Sequence, residues 1–282
     1  MSAEKRPHPT ILRGLIVLEK VVLAQRPVSA TELLEELELP KPTVNRILQQ
    51  LEDEGLLQRE PINRRYLPGV RTREMALGVM SNKALGAPRH AILKALSEEI
   101  GETCNCSMLD GDHTVYFDRV EANWPFRIQL PVGSQLPLHC TASGKLFLAY
   151  MEARQRRRLL GAASLKRFTD RTITDIEQLS DELERVEKDG IGVDNEEFMV
   201  GMVAVAVPVF NPANAVCFTV AVHAPTVRKP LAALRQYLPS LRRAAAAMAA
   251  TATAWKPTRC SRFWAWWRSV AISRRCRDLP LP

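Results

Sequence analysis

The stretch from Ser29 to Gly55 carries two short helical patterns joined by a tight turn, and it constrains the fold more than any other part of the chain. Ser29 with Glu32 is a capping box, in which each residue satisfies an orphan amide of the other at a helix start. Pro42 sits where a first-turn proline is tolerated, so a second helix is expected to start there and to run until Gly55 ends it. Within it Val44, Ile47, Leu48 and Leu51 recur at the period of one buried helical stripe. The other face shows Thr43, Asn45, Arg46, Gln49 and Gln50, side chains able to bond phosphates and base edges. Two helices with this spacing and polarity predict a helix-turn-helix whose second helix enters a major groove.

Upstream, Ile11, Leu15, Leu18 and Val22 predict a first amphipathic helix. Downstream, Leu56–Glu60 and Arg64–Leu67 read as two strands around Pro61-Ile62-Asn63, a hairpin. Three helices followed by a hairpin make the winged variant of the motif, over residues 8–70. Arg59, Arg64 and Arg65 put positive charge on the wing, where phosphates or a minor groove could meet it. The same arginines would also serve as a solvated edge that blunts strand pairing. The candidate DNA contacts are therefore Ser29, Lys41, Thr43, Val44, Asn45, Arg46, Gln49, Arg59, Arg64 and Arg65.

Bulk charge does not carry this reading. The formal net charge is +8, but Lys plus Arg against Asp plus Glu count 13 and 11 over residues 1–83, 19 and 19 over 84–254, and 7 and 1 over 255–282. The excess lies in the tail, which also holds four of the five tryptophans. That basic, aromatic stretch reads as a poorly ordered extension, with contact to a membrane surface or nucleic acid as the alternative. No run of about 18 apolar residues is present, so no membrane span is expected. The first residues lack the apolar stretch of a secretion signal, and six cysteines without metal-like pairs suit reduced thiols in a cytoplasm. Cys104 and Cys106, spaced C-x-C in a strand-like run, read as two plain thiols; neither a metal nor a cofactor is expected.

Residues 71–86 read as a linker helix, with Gly86-Ala87-Pro88 as a boundary and residues 87–254 as a second domain. Ala91, Leu93, Leu96 and Ile100 suggest a helix there. Strand-like runs follow at Cys104–Leu109, Thr114–Val120 and Phe126–Val132, then helical patterns at Thr141–Met151 and Ile176–Lys188. Strands at Val203–Phe210 and Val216–His223 precede an alanine-rich helix over Arg228–Thr253. This order predicts an α+β domain on an antiparallel sheet.

Three stretches then resemble the IclR (isocitrate lyase regulator) family of bacterial transcription regulators, across about residues 10–250. They are Leu39-Pro-Lys-Pro-Thr-Val-Asn-Arg-Ile-Leu48 through Gly55, Gly133-Ser-Gln-Leu-Pro-Leu-His-Cys-Thr-Ala-Ser-Gly-Lys145, and Gly190-Ile-Gly-Val-Asp-Asn-Glu-Glu197 followed by Gly201 and Ala206-Val-Pro208. The resemblance implies a winged helix-turn-helix, a dimerising linker helix and a GAF-like domain that binds a small organic acid. It further implies a homodimer or dimer of dimers on a palindromic double-stranded operator, and control of a catabolic operon. The implied effector pocket lies among Leu130, Val132, Ala142, Ser143, Asp194, Ala204, Ala221 and His223. Positions often held by a cysteine and two serines in relatives are Ala204, Ala221 and His223 here, so glyoxylate or pyruvate does not transfer as the ligand.

Chemistry adds detail to that pocket. Thr141-Ala-Ser-Gly144 opening a helix offers free backbone N–H groups as a seat for a carboxylate, or Thr141 merely caps the helix. His223 could pair with an anion when protonated, and Asp194 suits a ligand hydroxyl better than a carboxylate. An enzyme is the rival reading. Gly144-Lys145 lacks the rest of a P-loop, no G-x-S-x-G elbow or H-E-x-x-H helix occurs, and adjacent His139 and Cys140 would point opposite ways on an extended segment. A protein-interaction module is the third reading, separated from the first by whether DNA binding weakens with salt.

Overall fold

The computed structural model describes residues 10–253 apart from 25, 38, 62, 125–129, 163–164 and 213. The chain divides into two compact units, Met1–Ala87 and Pro88–Pro282. What was expected of the Trp255 tail lies outside the described residues.

In the first unit α1 (Thr10–Leu23), α2 (Ala30–Leu37) and α3 (Lys41–Asp53) precede β1 (Leu57–Arg59) and β2 (Tyr66–Pro68). The capping box forms as its spacing requires: the Ser29 amide donates to Glu32 Oε2 at 2.7 Å, and the Glu32 amide donates to Ser29 Oγ at 3.2 Å. Val44, Ile47 and Leu48 of α3 close a core with Val17 and Val21 of α1, Leu33 of α2, Leu57 and Tyr66. Val28 exchanges two backbone hydrogen bonds with Tyr66, which adds a one-residue third strand to the hairpin. The hairpin strands are shorter than expected because Arg64, with φ of 50°, turns the backbone out of the ladder. Gly55 ends α3 at φ 69°. Gly69 runs so close beneath it that a Cβ there would lie 2.1 Å from the Gly55 carbonyl oxygen. That approach fixes the wing to the end of α3.

Next come α4 (Val70–Ser81) and α5 (Lys83–Ile100). The boundary expected at Gly86-Ala87-Pro88 is where the two units divide, and it falls inside a helix, because α5 continues through Pro88. One lost backbone hydrogen bond near the helix start is tolerated when Leu93, Leu96 and Ile100 downstream are buried.

The second unit is built on a six-stranded sheet in the order β5-β4-β3-β8-β7-β6, antiparallel throughout. Its strands are β3 (Thr103–Asp110), β4 (His113–Val120), β5 (Gln135–Pro137), β6 (Gly192–Asn195), β7 (Met202–Phe210) and β8 (Val216–Pro225). In place of the strand expected at Phe126–Val132, residues 130–132 have no strand structure, and 125–129 lie outside the described residues. The helices α6 (Ala142–Tyr150), α7 (Ala153–Ala162) and α8 (Ile176–Asp189) intervene between β5 and β6. The alanine-rich segment forms two helices, α9 (Leu231–Arg235) and α10 (Leu238–Thr253).

Alternation sorts the sheet into two faces. Cys104 and Cys106 point to the α10 side, where Cys106 meets Met248. Asn105, Ala206 and Ala221 point the other way, and the last two pack with Leu146 of α6 and with Leu179 and Leu183 of α8. Two glycines allow α6 to lie this low. A Cβ on Gly192 would fall 1.9 Å from the Ala142 carbonyl oxygen, and one on Gly144 would fall 2.3 Å from that of Leu138.

Candidate functional site

On α3 the side chains of Lys41, Asn45, Arg46, Gln49 and Gln50 are exposed and Thr43 is half-buried. Val44 is a correction to the candidate list. It is 0% exposed in the core, so it supports the helix from behind and cannot reach DNA. Ser29 is occupied as a cap. Arg59 forms an ion pair with Glu52 at 2.7 Å and lies over the Tyr66 ring, 5.0 Å from its centroid. Arg65 reaches the Pro27 carbonyl at 3.3 Å and Glu32 at 3.7 Å. Arg64 stays exposed at the hairpin tip. The polar face of α3 and this tip are both accessible polar surface of the winged unit.

In the second unit a cavity of about 50 Å³ opens between the start of α6 and the sheet. It is lined by seven of the eight residues expected to form a pocket: Leu130, Ala142, Ser143, Asp194, Ala204, Ala221 and His223. The eighth, Val132, is a correction. It is 47% exposed on the turn before β5 and does not line the cavity. Asn105, Thr114, Tyr116, Leu136, Thr141, Phe198, Met199, Met202 and Val203 complete the wall.

Thr141 caps α6: its Oγ1 accepts from the Gly144 amide at 3.2 Å and donates to the Pro137 carbonyl at 2.7 Å. The Lys145 amide returns to the Thr141 carbonyl. The amides of Ala142 and Ser143 therefore stay available at the positive end of the helix, so the cap and the anion seat coexist. Ser143 Oγ accepts from Thr219 Oγ1 at 2.9 Å, which turns its own proton toward other acceptors.

Asp194 is 6% exposed, and its Oδ1 accepts from the amides of Glu197 at 2.8 Å and Phe198 at 3.3 Å. Burial nonetheless pushes its pKa up to about 7 against those bonds. A protonated Asp194 can donate to a carboxylate, which removes the repulsion expected of it. His223 is the other correction. Burial, with the charge of Arg119 adding to it, pushes its pKa down to about 3, so the ring is neutral and makes no ion pair with an anion at neutral pH.

Behind the cavity lies a group that sequence reasoning missed. Lys145, 0% exposed, places Nζ 2.5 Å from Glu197 Oε1 and 3.4 Å from Glu182 Oε1. The hydroxyls of Thr169 and Thr172 hold the Glu197 carbonyl at 3.3 and 2.6 Å. This links α6 to the turn after β6, which carries Phe198 and follows directly on Asp194. The signal in the sequence was a lysine at i+3 from Ala142, one turn into a helix of otherwise apolar and small residues.

Two family profiles cover most of the chain: "IclR helix-turn-helix domain" matches residues 10–61 and "Bacterial transcriptional regulator IclR C-terminal" matches residues 78–250. The chain belongs to the IclR family. It is a transcriptional regulator with an N-terminal DNA-binding helix-turn-helix and an effector-binding C-terminal domain, and it is not an enzyme. It is 44% identical over 240 residues to "Probable transcriptional regulator SauR" of Cupriavidus necator, covering 85% of this chain and 95% of that one. It is 31% identical to "HTH-type transcriptional regulator KdgR" of Escherichia coli, covering 78% and 84%. Among solved structures, the IclR of Thermotoga maritima aligns with a TM-score of 0.57 at 27% identity, over 85% of this chain and 97% of that one. The inducer-binding domain of PobR from Acinetobacter, solved with 3-hydroxybenzoic acid, aligns with a TM-score of 0.53 at 27% identity over 57% and 94%. In this IclR-family chain no described helix is long and apolar enough to cross a membrane.

Proposed function

We propose that the effector is a small organic acid held in the α6 cavity, and that its binding alters the affinity of a dimer, or a dimer of dimers, for a palindromic operator controlling a catabolic operon. One observation carries this reading: the amides of Ala142 and Ser143, Asp194 and the neutral ring of His223 converge on one cavity. At about 10–15 Å³ for each water-sized occupant, 50 Å³ suits a compact acid. Self-association is supported by apolar side chains left in solvent on the first unit, with Ile11 74%, Leu15 55%, Met75 58% and Val79 59% exposed. A two-fold dimer would match two half-sites about one DNA turn, or a multiple of it, apart. On α3, Thr43, Asn45 and Arg46 are the side chains proposed to read bases, with Lys41, Gln49 and Arg64 on the backbone.

The test is a thermal-shift screen of small carboxylates, aliphatic and aromatic, followed by operator binding with and without each hit. An acid that raises the melting temperature and changes operator affinity is the expected result. Ligands that stabilise the protein without affecting DNA binding would refute the coupling.

A further inference from the structure

Helix α4 begins without a capping side chain, because its N-cap is Gly69. No side chain would fit there, since a Cβ on Gly69 would run into the Gly55 carbonyl oxygen. The end of α3 supplies the missing acceptors instead. The Gly55 carbonyl accepts from the Arg71 amide at 3.2 Å, and the Leu56 carbonyl accepts from the Gly69 amide at 2.8 Å. One side chain keys the two segments together: Thr72 Oγ1 donates to the same Leu56 carbonyl at 2.6 Å. Outside it, Arg71 Nη1 donates to Glu54 Oε2 at 2.8 Å. Carbonyls at the negative end of one helix thus meet amides at the positive end of the next, and each end satisfies groups that a helix leaves orphaned.

Helix α4 buries none of its residues, and Met75 and Val79, one turn apart on it, are 58% and 59% exposed. By contrast α3 is locked into one core with α1 and α2. The direction of the winged body relative to α4 is therefore set where Thr72 and Arg71 hold the end of α3. Leverage makes that setting matter. With 13 residues α3 is about 20 Å long at 1.5 Å per residue, and Thr43, Asn45 and Arg46 lie at the end far from the joint. A tilt of about 10° at Gly55 would carry those side chains about 3.5 Å, close to one base-pair step.

We propose that Thr72, aided by Arg71, is a positioning residue for operator binding: by fixing α4 to the end of α3 it sets the half-site spacing that a dimer accepts. This rests on the reading of the protein as a two-fold dimer on a palindromic operator, with the Met75 and Val79 stripe of α4 at its two-fold contact. The test is selection by the full chain from a random duplex library of about 40 base pairs, long enough for half-sites one or two turns apart. The wild type enriches one spacing about tenfold or more over spacings one base pair longer or shorter, the scale of a mismatched base pair. Thr72→Val, which keeps the branched shape but loses the donor, enriches the same half-site with that ratio below threefold, and Thr72→Ser restores it. A merely structural loss weakens binding to every spacing alike and leaves the ratio where it was. An unchanged ratio in Thr72→Val therefore overturns the positioning role while leaving the operator reading intact. Arg71→Leu, on the exposed side of the joint, lowers the ratio too and serves if the Val variant does not fold. A wild type that enriches half-sites at no fixed spacing overturns both.

Discussion

Replacing Lys145 with methionine should cost the C-terminal unit about 3–5 kcal/mol, the range for breaking a buried ion pair from one side. The structure supports the upper part of that range. Glu197 is 6% exposed, and its Oε2 has no hydrogen-bond partner among the described residues, so the ammonium 2.5 Å from Oε1 is its main source of compensation. Burial already holds the Glu197 pKa above its usual value, with Lys145 acting against that rise. Without the lysine the carboxyl takes a proton in the folded state over a wider pH range. A carboxyl whose folded pKa is raised loses stability as pH rises from the unfolded pKa toward the folded one. The variant should therefore be least impaired in acid and most impaired above neutrality. Urea unfolding of the full chain, followed by far-ultraviolet circular dichroism at several pH values, measures this. Lys145→Met with Glu197→Gln removes both charges and should recover most of the loss. A single variant that loses less than about 1 kcal/mol, or a double variant as unstable as the single, would refute the account of Lys145 as the counter-charge that joins α6 to the turn after β6.

Three further outcomes are expected. Arg46→Ala should weaken operator binding by about 1–3 kcal/mol if its guanidinium makes a bidentate base contact, and anisotropy titration with unchanged affinity would remove Arg46 from the interface. Gly69→Ala should destabilise the winged unit by more than about 2 kcal/mol, seen as a lower first melting transition, because its Cβ would sit 2.1 Å from the Gly55 carbonyl oxygen. Asp194→Asn keeps an oxygen for the amides of Glu197 and Phe198 but cannot ionise. Its stability relative to the wild type should be greatest above pH 7, by at most roughly 4 kcal/mol for a pKa raised from 3.8 to about 7, and the difference should fade as pH falls from 7 toward 4. Denaturation curves showing a constant difference across that window would mean that Asp194 titrates normally.

The winged unit was legible because its determinants are local. A capping box, a first-turn proline, a 3.6-residue stripe and a terminal glycine each act within one turn of chain. Val44 was misplaced for the opposite reason: period assigns it to the core, whereas membership of a motif drew it into the contact list. In the second unit the long strands β3, β4, β7 and β8 were readable from alternation. β5 has only three residues and α7 carries four arginines and little apolar period, so neither gives a pattern. The cavity residues come from α6 and from all six strands of the sheet, and only the resemblance to relatives linked any of them in advance. The neutrality of His223 and the role of Lys145 depend on burial and on partners 118 and 52 residues away in sequence, distances over which no local pattern operates.

The inward commitment of the wing's arginines has a consequence for how the protein searches a genome. Arg26, Arg59, Arg65 and Arg71 each form an ion pair within the first unit, with Glu32, Glu52, Glu32 and Glu54. Lys41, Arg46 and Arg64 make no ion pair among the described residues. Phosphate contacts by these three side chains would release about three counterions for each DNA-binding unit, a modest electrostatic contribution from the described residues. On the described surface, then, the polar face of α3 has a larger share in telling operator from background than charge does.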